Sequence, residues 1–346
     1  MSARLKPLYF CVLMRYLKIA ASIFIGLFFL WLALKNADLA KAASRAAALD
    51  PLWLAAAVLT FFYTQFLRAA RWHMLLAGAG GSYYDSLKVF YLGLFANYVL
   101  PFRLGEFSRP LVMKKIRGTS FSAVLGVIFV ERLLDLAGQV FLLAFVLGFS
   151  PMPLNNRLVG YIRTALALVA IICLGGLAAL RFMSKKSAAR ERLAAFFNSA
   201  APDAAAKISG LLKSFNSGAG IFSDKKRLAA AFAYTVVSWF VSAATIMFSL
   251  RAMSINLESP FLSACFIQAA ISVALVIPPP PGFVGTFHFF CKEGLTFYSV
   301  PENTAVAYAV FFHALQIALV AVPAVCFMAS YGIRFGDFIG KEKPLK

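Results

Sequence analysis

Charged residues interrupt the apolar sequence in three clusters, all in the first half of the chain. A charge is costly inside a bilayer, so charges within apolar segments mark paired sites or transport pathways. Arginine guanidinium groups offer bidentate donors that suit phosphate and carboxylate, and acids among them can orient those donors. The clusters therefore predict recognition of a charged group at membrane depth. Their candidate residues are Arg68, Arg71, Asn97, Arg103, Glu106, Arg109, Glu131, Arg132 and Asp135.

The first cluster places two arginines on one helix face, because Arg68 and Arg71 are three residues apart. Trp72 follows them directly, which allows two interpretations. Arginine and tryptophan often anchor a helix end at the level of the lipid headgroups. The same arginines could instead contact a lipid phosphate or a neighbouring segment.

The third cluster puts three charges into five residues of an apolar segment. Glu131 and Asp135 are four residues apart and share a helix face, and Arg132 can pair with Asp135. The second cluster consists of Asn97, Arg103, Glu106 and Arg109. In it, Glu106 could hold a neighbouring arginine in place or accept a hydrogen bond from an amine headgroup. The charges predict a headgroup site, or a structural ion pair between the second and third clusters, and the two roles are compatible.

A second set of candidates follows a run of four prolines in the other half of the chain. Glycines after the prolines allow close backbone approach, and exposed amides with a threonine could receive an anionic group. A histidine there could titrate near neutral pH, or remain neutral and bond to backbone. These candidates are Gly282, Gly285, Thr286 and His288. Polar residues of neighbouring segments, predicted to line the same cavity or to bond between helices, are Gln268, His313 and Gln316.

The composition of the 346 residues indicates a membrane protein. Hydrophobic residues make up 61% and charged residues 14%, against about 45–50% and about 25% in soluble domains. These values exclude a disordered chain, a secreted disulfide scaffold and an ordinary cytosolic enzyme. The net charge of +20 then fits basic loops beside membrane helices, and no nucleic-acid partner is expected. No nucleotide or metal-binding motif occurs in the sequence, so no cofactor or metal is predicted.

The apolar pattern predicts an all-α polytopic membrane protein that forms a single integral domain, 1–346. A membrane helix needs about 20 apolar residues, and two further apolar segments break at prolines, which cannot continue a helix. Irregular backbone at membrane depth is tolerated beside protein or a water-filled cavity. We therefore predict two re-entrant helical hairpins, with two ordinary spans carrying loop prolines as the alternative. The predicted full spans are 17–34, 51–67, 121–149, 159–180, 228–250 and 304–330, and the predicted hairpins are 84–117 and 261–298.

The basic residues predict the orientation. With the N-terminus in the cytoplasm, the inside regions hold 26 Lys and Arg and the outside regions hold 7. This bias favours an inner-membrane protein with both termini cytoplasmic. The order of spans and hairpins repeats with opposite topology in 1–150 and 159–330, as in many transporters. Residues 184–226 between them are predicted to form a cytoplasmic amphipathic insert.

Four motifs together resemble the lysylphosphatidylglycerol synthase/flippase transmembrane family. The resemblance implies a protein that moves lipids between leaflets through two re-entrant segments. In the best-known members, this domain flips aminoacylated phosphatidylglycerol made by an attached aminoacyltransferase domain. Because the sequence ends at Lys346, we expect no aminoacyltransferase domain, and His288 stands where an acid is expected. The motifs are Arg68-Ala-Ala-Arg71-Trp72, Asn97-Tyr-Val-Leu-Pro-Phe-Arg-Leu-Gly-Glu106 with Arg109, Val130-Glu-Arg-Leu-Leu-Asp135 and Pro279-Pro-Pro-Gly282-Phe-Val-Gly-Thr-Phe287.

These observations predict a flippase for an anionic or aminoacylated phospholipid, or for a polyprenyl-phosphate-linked lipid. The predicted partners are therefore membrane lipids, and homo-oligomerisation is left open. The alternative is a membrane-embedded glycosyl- or headgroup transferase in which Glu106, Glu131 or Asp135 acts as the base. A third interpretation is a non-catalytic assembly subunit that acts through 184–226.

Overall fold

The computed structural model describes residues 49–76, 81–100, 103–149, 224–273 and 280–333, together with isolated positions elsewhere. The described residues form α-helices and one short 3-10 helix, Pro281–Phe283, and none of them lies in a strand. In chain order the α-helices are α1 Pro51–Leu75, α2 Tyr83–Val99, α3 Gly105–Arg117, α4 Phe121–Phe149, α5 Lys225–Ala252, α6 Pro260–Val273, α7 Thr286–Thr296 and α8 Glu302–Tyr331.

Four of these helices, α1, α4, α5 and α8, are long and apolar enough to cross a membrane. They confirm four of the six predicted spans. Helix α1 continues about two turns beyond its predicted end at residue 67, so Arg68 and Arg71 belong to the helix. The predicted spans 17–34 and 159–180 lie outside the described residues except for isolated positions, as does the predicted insert 184–226.

Each predicted hairpin contains two helices that pack against each other. Helices α2 and α3 are in contact, as are α6 and α7. The first pair closes tightly because a Cβ on Gly105, the first residue of α3, would lie 2.2 Å from the backbone nitrogen of Asn97 in α2. Only glycine permits that approach. The all-α fold class is therefore confirmed, while the path of the hairpins through a membrane stays a prediction.

Polar side chains fix the beginning of α2 and tie it to α8. Ser82 and Asp85 form a capping box. The Asp85 carboxylate also accepts hydrogen bonds from Arg117, the last residue of α3, and from Tyr331, the last residue of α8. Burial alone would raise the pKa of Asp85, but the bonds from Tyr331, Arg117 and Ser82 hold that pKa well below its usual range.

Helix α1 makes its most extensive contact with α5. At their interface, the hydroxyl oxygens of Thr60 and Thr245 lie 3.1 Å apart. The first hairpin packs on α8 through α2, and the second packs on α4 through α6. Buried apolar side chains fill the spaces between these helices in three clusters. Helix α2 of the first hairpin also contacts the 3-10 helix at the break of the second hairpin.

Candidate functional site

A cavity of about 490 Å³ lies between the two hairpins and the long helices. Its wall contains side chains from both hairpins and from α1, α4, α5 and α8. Most residues of the three charged clusters reach it, although they come from four separate helices and a break between helices. The predicted site residues that line the cavity are Arg68, Arg71, Asn97, Arg103, Arg109, Glu131, Arg132 and Asp135.

The Glu131 carboxylate is the centre of the charged network and is 1% exposed. Its Oε2 atom accepts from Arg109 at 2.7 Å. Its Oε1 atom lies 3.1 Å from a guanidinium nitrogen of Arg71 and 3.3 Å from one of Arg132. One carboxylate therefore joins arginines from α1, α3 and α4, and the ion pair between the first hairpin and α4 is present.

Asp135 is the second carboxylate that pairs with Arg71. Its carboxylate lies 2.6 Å from Arg71 Nη1 and 3.0 Å from Arg132 Nη2. Arg71 also donates to the hydroxyl of Thr235 on α5 at 2.7 Å. Because a buried charge is stable only when paired and hydrogen-bonded, these contacts explain how Arg71 can be 1% exposed.

The break between α2 and α3 adds a second, more open group of charges. Glu106 Oε1 lies 3.0 Å from Arg103 and 3.4 Å from Arg132, so of its two predicted roles the structure contains the contact with a neighbouring arginine. Arg103 has a φ of 56°, a left-handed conformation that is strained in a residue with a Cβ. The side chains of Arg103 and Arg132 stay 26% and 31% exposed, so the cavity can be reached from this side.

Arg109 crosses α2 to reach the network. Its side chain passes over Gly93, where an added Cβ would lie 2.3 Å from the Arg109 Cγ atom. Its guanidinium then lies over the rings of Trp72 and Phe90, at 5.3 and 5.8 Å from their centroids. Trp72 is fully buried. Of the two interpretations of the first cluster, the geometry favours contact with the hairpin over a headgroup-level anchor for this tryptophan.

Arg68 differs from the other arginines of the cavity. It is half-buried, and its guanidinium lies over the Trp239 ring at 5.7 Å from the centroid. Among the described residues it has no ion-pair partner. It shares this part of the wall with Tyr98 and Gln316. Arg68 is therefore a positive charge that faces the cavity without a carboxylate of its own.

The second break meets the first at the end of the cavity. Gly282 has a φ of 63°, and an added Cβ there would lie 3.1 Å from the carbonyl oxygen of Tyr98 in α2. The rings of Tyr98 and Phe283 also contact, with centroids 6.3 Å apart. The tips of the two hairpins are thus in direct contact.

The remaining predicted residues of the second break use their polar atoms locally. The Thr286 hydroxyl donates to the Phe283 carbonyl at 3.2 Å. His288 Nδ1 accepts from the Gly285 amide at 3.2 Å, and its Nε2 lies 3.4 Å from His313 Nδ1. The cavity wall here consists instead of Phe283 and Phe287. The structure thus places Gly282, Gly285, Thr286 and His288 behind that aromatic wall, whereas Gln268 and Gln316 line the cavity itself.

Sequence reasoning missed the contribution of α5. Trp239 and Ser242 line the cavity, and Thr235 binds Arg71. A signal was available, because hydroxyl residues recur on one face of this helix every three or four positions. They are Thr235, Ser238, Ser242, Thr245 and Ser249.

A family profile described as the lysylphosphatidylglycerol synthase TM region matches residues 19–324. The chain belongs to this family. The matched range contains both hairpins and every residue of the charged network, so the resemblance seen in the four motifs is confirmed. No curated protein sequence and no solved structure matches the chain. Family membership and the four apolar helices establish a multi-pass membrane protein with a domain related to membrane lipids.

Proposed function

We propose that this protein is a flippase that moves a lipid between the leaflets of the inner membrane. The substrate would be an anionic or aminoacylated phospholipid, or a polyprenyl-phosphate-linked lipid. Its headgroup would enter the cavity while its acyl chains remain in the bilayer. The observation that carries the proposal is a cavity between spanning helices whose wall holds five arginines. Their guanidinium groups suit a phosphate group.

Apolar surface beside the charged break supports a lipid rather than a soluble anion. Leu104 and Phe107 directly follow Arg103 and Glu106 in sequence, and they are 43% and 48% exposed. In a bilayer such side chains face hydrocarbon. A headgroup bound at Arg103 could therefore keep its acyl chains against this apolar surface.

The arrangement of helices supports alternating access. Each hairpin packs on a long helix from the other half of the chain, and the hairpin tips meet at Gly282 and Tyr98. In this proposal both hairpins are re-entrant, the two halves are inverted repeats, and both termini are cytoplasmic, as the basic loops favour. Rocking of one half against the other would expose the cavity to each side in turn.

The test is leaflet exchange of fluorescent phospholipids in liposomes that contain the purified protein, measured by dithionite quenching. Arg103→Gln should slow exchange about tenfold or more, because a hydrogen bond to a charged group contributes about 1.5–3 kcal/mol. Arg227→Gln is the matched control, since Arg227 is half exposed and pairs with Asp224 away from the cavity. Exchange no faster than in protein-free liposomes, or equal rates for Arg103→Gln and the unmodified protein, would contradict the proposal.

The same assay separates transport from chemistry. Each carboxylate of the network is paired with at least two arginines, which makes it a poor proton acceptor for a transferase. We therefore expect the lipid to keep its mass when it is extracted and measured after exchange. A changed headgroup in the presence of a sugar or aminoacyl donor would favour the transferase instead.

A further inference from the structure

We infer that the cavity accepts a headgroup with two negative charges, such as a phosphate monoester or a diphosphate, in preference to an aminoacylated one. This inference rests on the proposed flippase function and narrows its substrate class. It follows from the balance of charge in the cavity and from donors in the network that have no acceptor.

Among the described residues, the cavity wall and the ion pairs beside it contain five arginines and three carboxylates, which leaves two positive charges in excess. Four of the arginines share the three carboxylates, and the fifth stands apart over a tryptophan ring. The arginines are Arg68, Arg71, Arg103, Arg109 and Arg132, and the acids are Glu106, Glu131 and Asp135.

The two excess positive charges lie where a ligand in the cavity can reach them. Arg71 and Arg109 are almost completely buried and bind the Glu131 carboxylate directly. Arg103 has one carboxylate, Glu106, and shares it with Arg132. Arg68 has none among the described residues. Arg68 is therefore one positive position on the cavity wall, and Arg103 of the break with Arg132 of α4, which share Glu106, forms the other.

Unsatisfied donors give a second, independent indication. The Nε–H groups of Arg71, Arg103 and Arg132 are buried and have no hydrogen-bond acceptor among the described residues. Buried donors are normally satisfied, so these three N–H groups can each take a hydrogen bond from an acceptor on a bound headgroup. A phosphate monoester presents three acceptor oxygens with up to two charges, whereas a diester has fewer free oxygens and one charge.

Charge balance then ranks the candidate headgroups. Unpaired charge in a low-dielectric site is unfavourable, so the best ligand is the one that removes the excess. A phosphodiester such as phosphatidylglycerol removes one charge and leaves one. A dianionic headgroup removes both. Lysylphosphatidylglycerol carries two amines and one phosphate, so it would add a positive charge to the cavity.

The experiment compares four acyl-labelled lipids in liposomes at pH 8, where a monoester is fully ionised. They are phosphatidic acid, phosphatidylglycerol, lysylphosphatidylglycerol and phosphatidylcholine, each corrected for exchange in protein-free liposomes. We expect phosphatidic acid to exchange at least tenfold faster than the other three. Equal or faster exchange of lysylphosphatidylglycerol would overturn the inference. This ranking needs only the unmodified protein, so it does not depend on the folding of any variant.

A charge variant tests the cause of the ranking. Arg68→Gln lowers the excess to one, and the preference for phosphatidic acid over phosphatidylglycerol should fall from tenfold to about threefold or less. Arg68→Lys keeps the charge and should keep the preference. An unchanged preference in a folded Arg68→Gln protein would refute the role of charge balance.

Competition distinguishes a lipid from a free anion as the source of the charge. Polyprenyl diphosphate in the membrane should inhibit exchange of phosphatidic acid, and the same amount of inorganic pyrophosphate in the medium should not. Inhibition by pyrophosphate alone would assign the cavity to a soluble anion and overturn the lipid ligand. Absence of protein-dependent exchange for every lipid would refute the proposed flippase function, whereas exchange without preference for a dianion refutes only this inference.

Discussion

Glu131→Gln should destabilise the protein strongly, because one carboxylate holds three arginines. The substitution keeps the size of the side chain and removes its charge. Glu131 lies within 2.7–3.3 Å of guanidinium nitrogens of Arg71, Arg109 and Arg132 and is 1% exposed. Removing one partner of a buried ion pair costs about 3–5 kcal/mol. A single pair at 4 Å with an effective dielectric of about 20 gives a similar value, about 4 kcal/mol.

Thermal unfolding in detergent measures this effect. A loss of about 3–5 kcal/mol should lower the apparent melting temperature on the order of 10 °C. A thiol-reactive dye can report unfolding as labelling of Cys265 and Cys291, which are fully buried, in addition to the labelling of Cys326, which is exposed in the folded protein. Glu293→Gln is the control: Glu293 is about one-third exposed and pairs with Lys292 at 3.5 Å. Removing that pair should cost less than about 1 kcal/mol.

A double-mutant cycle then tests the mechanism. If Glu131 acts through its ion pairs, combining Glu131→Gln with Arg109→Gln should cost less than the sum of the two single changes, by about 1–3 kcal/mol. A Glu131→Gln protein with the same melting temperature as the unmodified protein would refute the reasoning. Strict additivity of the two changes would refute the direct pairing of Glu131 with Arg109.

Two further predictions concern the first hairpin. Gly105→Ala should prevent α2 and α3 from packing closely and should lower the melting temperature by several degrees. Gly148→Ala is the control, because a Cβ there meets no described residue within 4 Å, and it should be neutral or slightly stabilising. Equal effects of the two substitutions would contradict the close approach of α2 and α3. Asp85→Asn should destabilise by about 1–3 kcal/mol at neutral pH. Because the folded-state pKa of Asp85 is lowered, its contribution is complete above pH of about 4 and declines as the pH falls below that value. The difference in melting temperature between Asp85→Asn and the unmodified protein should therefore shrink in acid, and a constant difference from pH 7 to 3 would count against the assignment.

The sequence predicts the helices well where hydrophobicity alone determines them. The span 121–149 coincides with α4, and the ends of both hairpins lie within about two residues of the predictions. Helix α1 is longer than the predicted span 51–67, because that span covered only the apolar residues, although the spacing of Arg68 and Arg71 predicted that they share a helix face. In the fold those arginines have acidic and aromatic partners, so the helix can continue through them.

The arginines and acids that line the cavity could be predicted from the sequence, but most of their contacts could not. Local spacing predicted the pair Arg132–Asp135, and Glu106 was expected to hold Arg103 or Arg109; the structure contains Arg132–Asp135 and Arg103–Glu106. The contacts of Arg71 and Arg109 with Glu131 join segments 60 and 22 residues apart, and no local periodicity specifies them. The sequence did not predict the aromatic wall at Phe283, because nothing in the motif distinguishes an aromatic residue that lines a cavity from the polar residues beside it.

The sharing of Glu131 among three arginines also bears on how long a substrate stays bound. In the proposed flippase, a phosphate that binds Arg132 would leave Glu131 paired with Arg71 and Arg109, so the carboxylate would keep two partners during the exchange. If Glu131 had only one arginine partner, a ligand that took this arginine would leave the buried carboxylate unpaired, and the ion pair would have to re-form when the ligand left. A site with interchangeable partners can bind and release through small steps, and multi-site binding of this kind favours passage over retention. In the proposed flippase, such a network would suit the short dwell times that turnover requires.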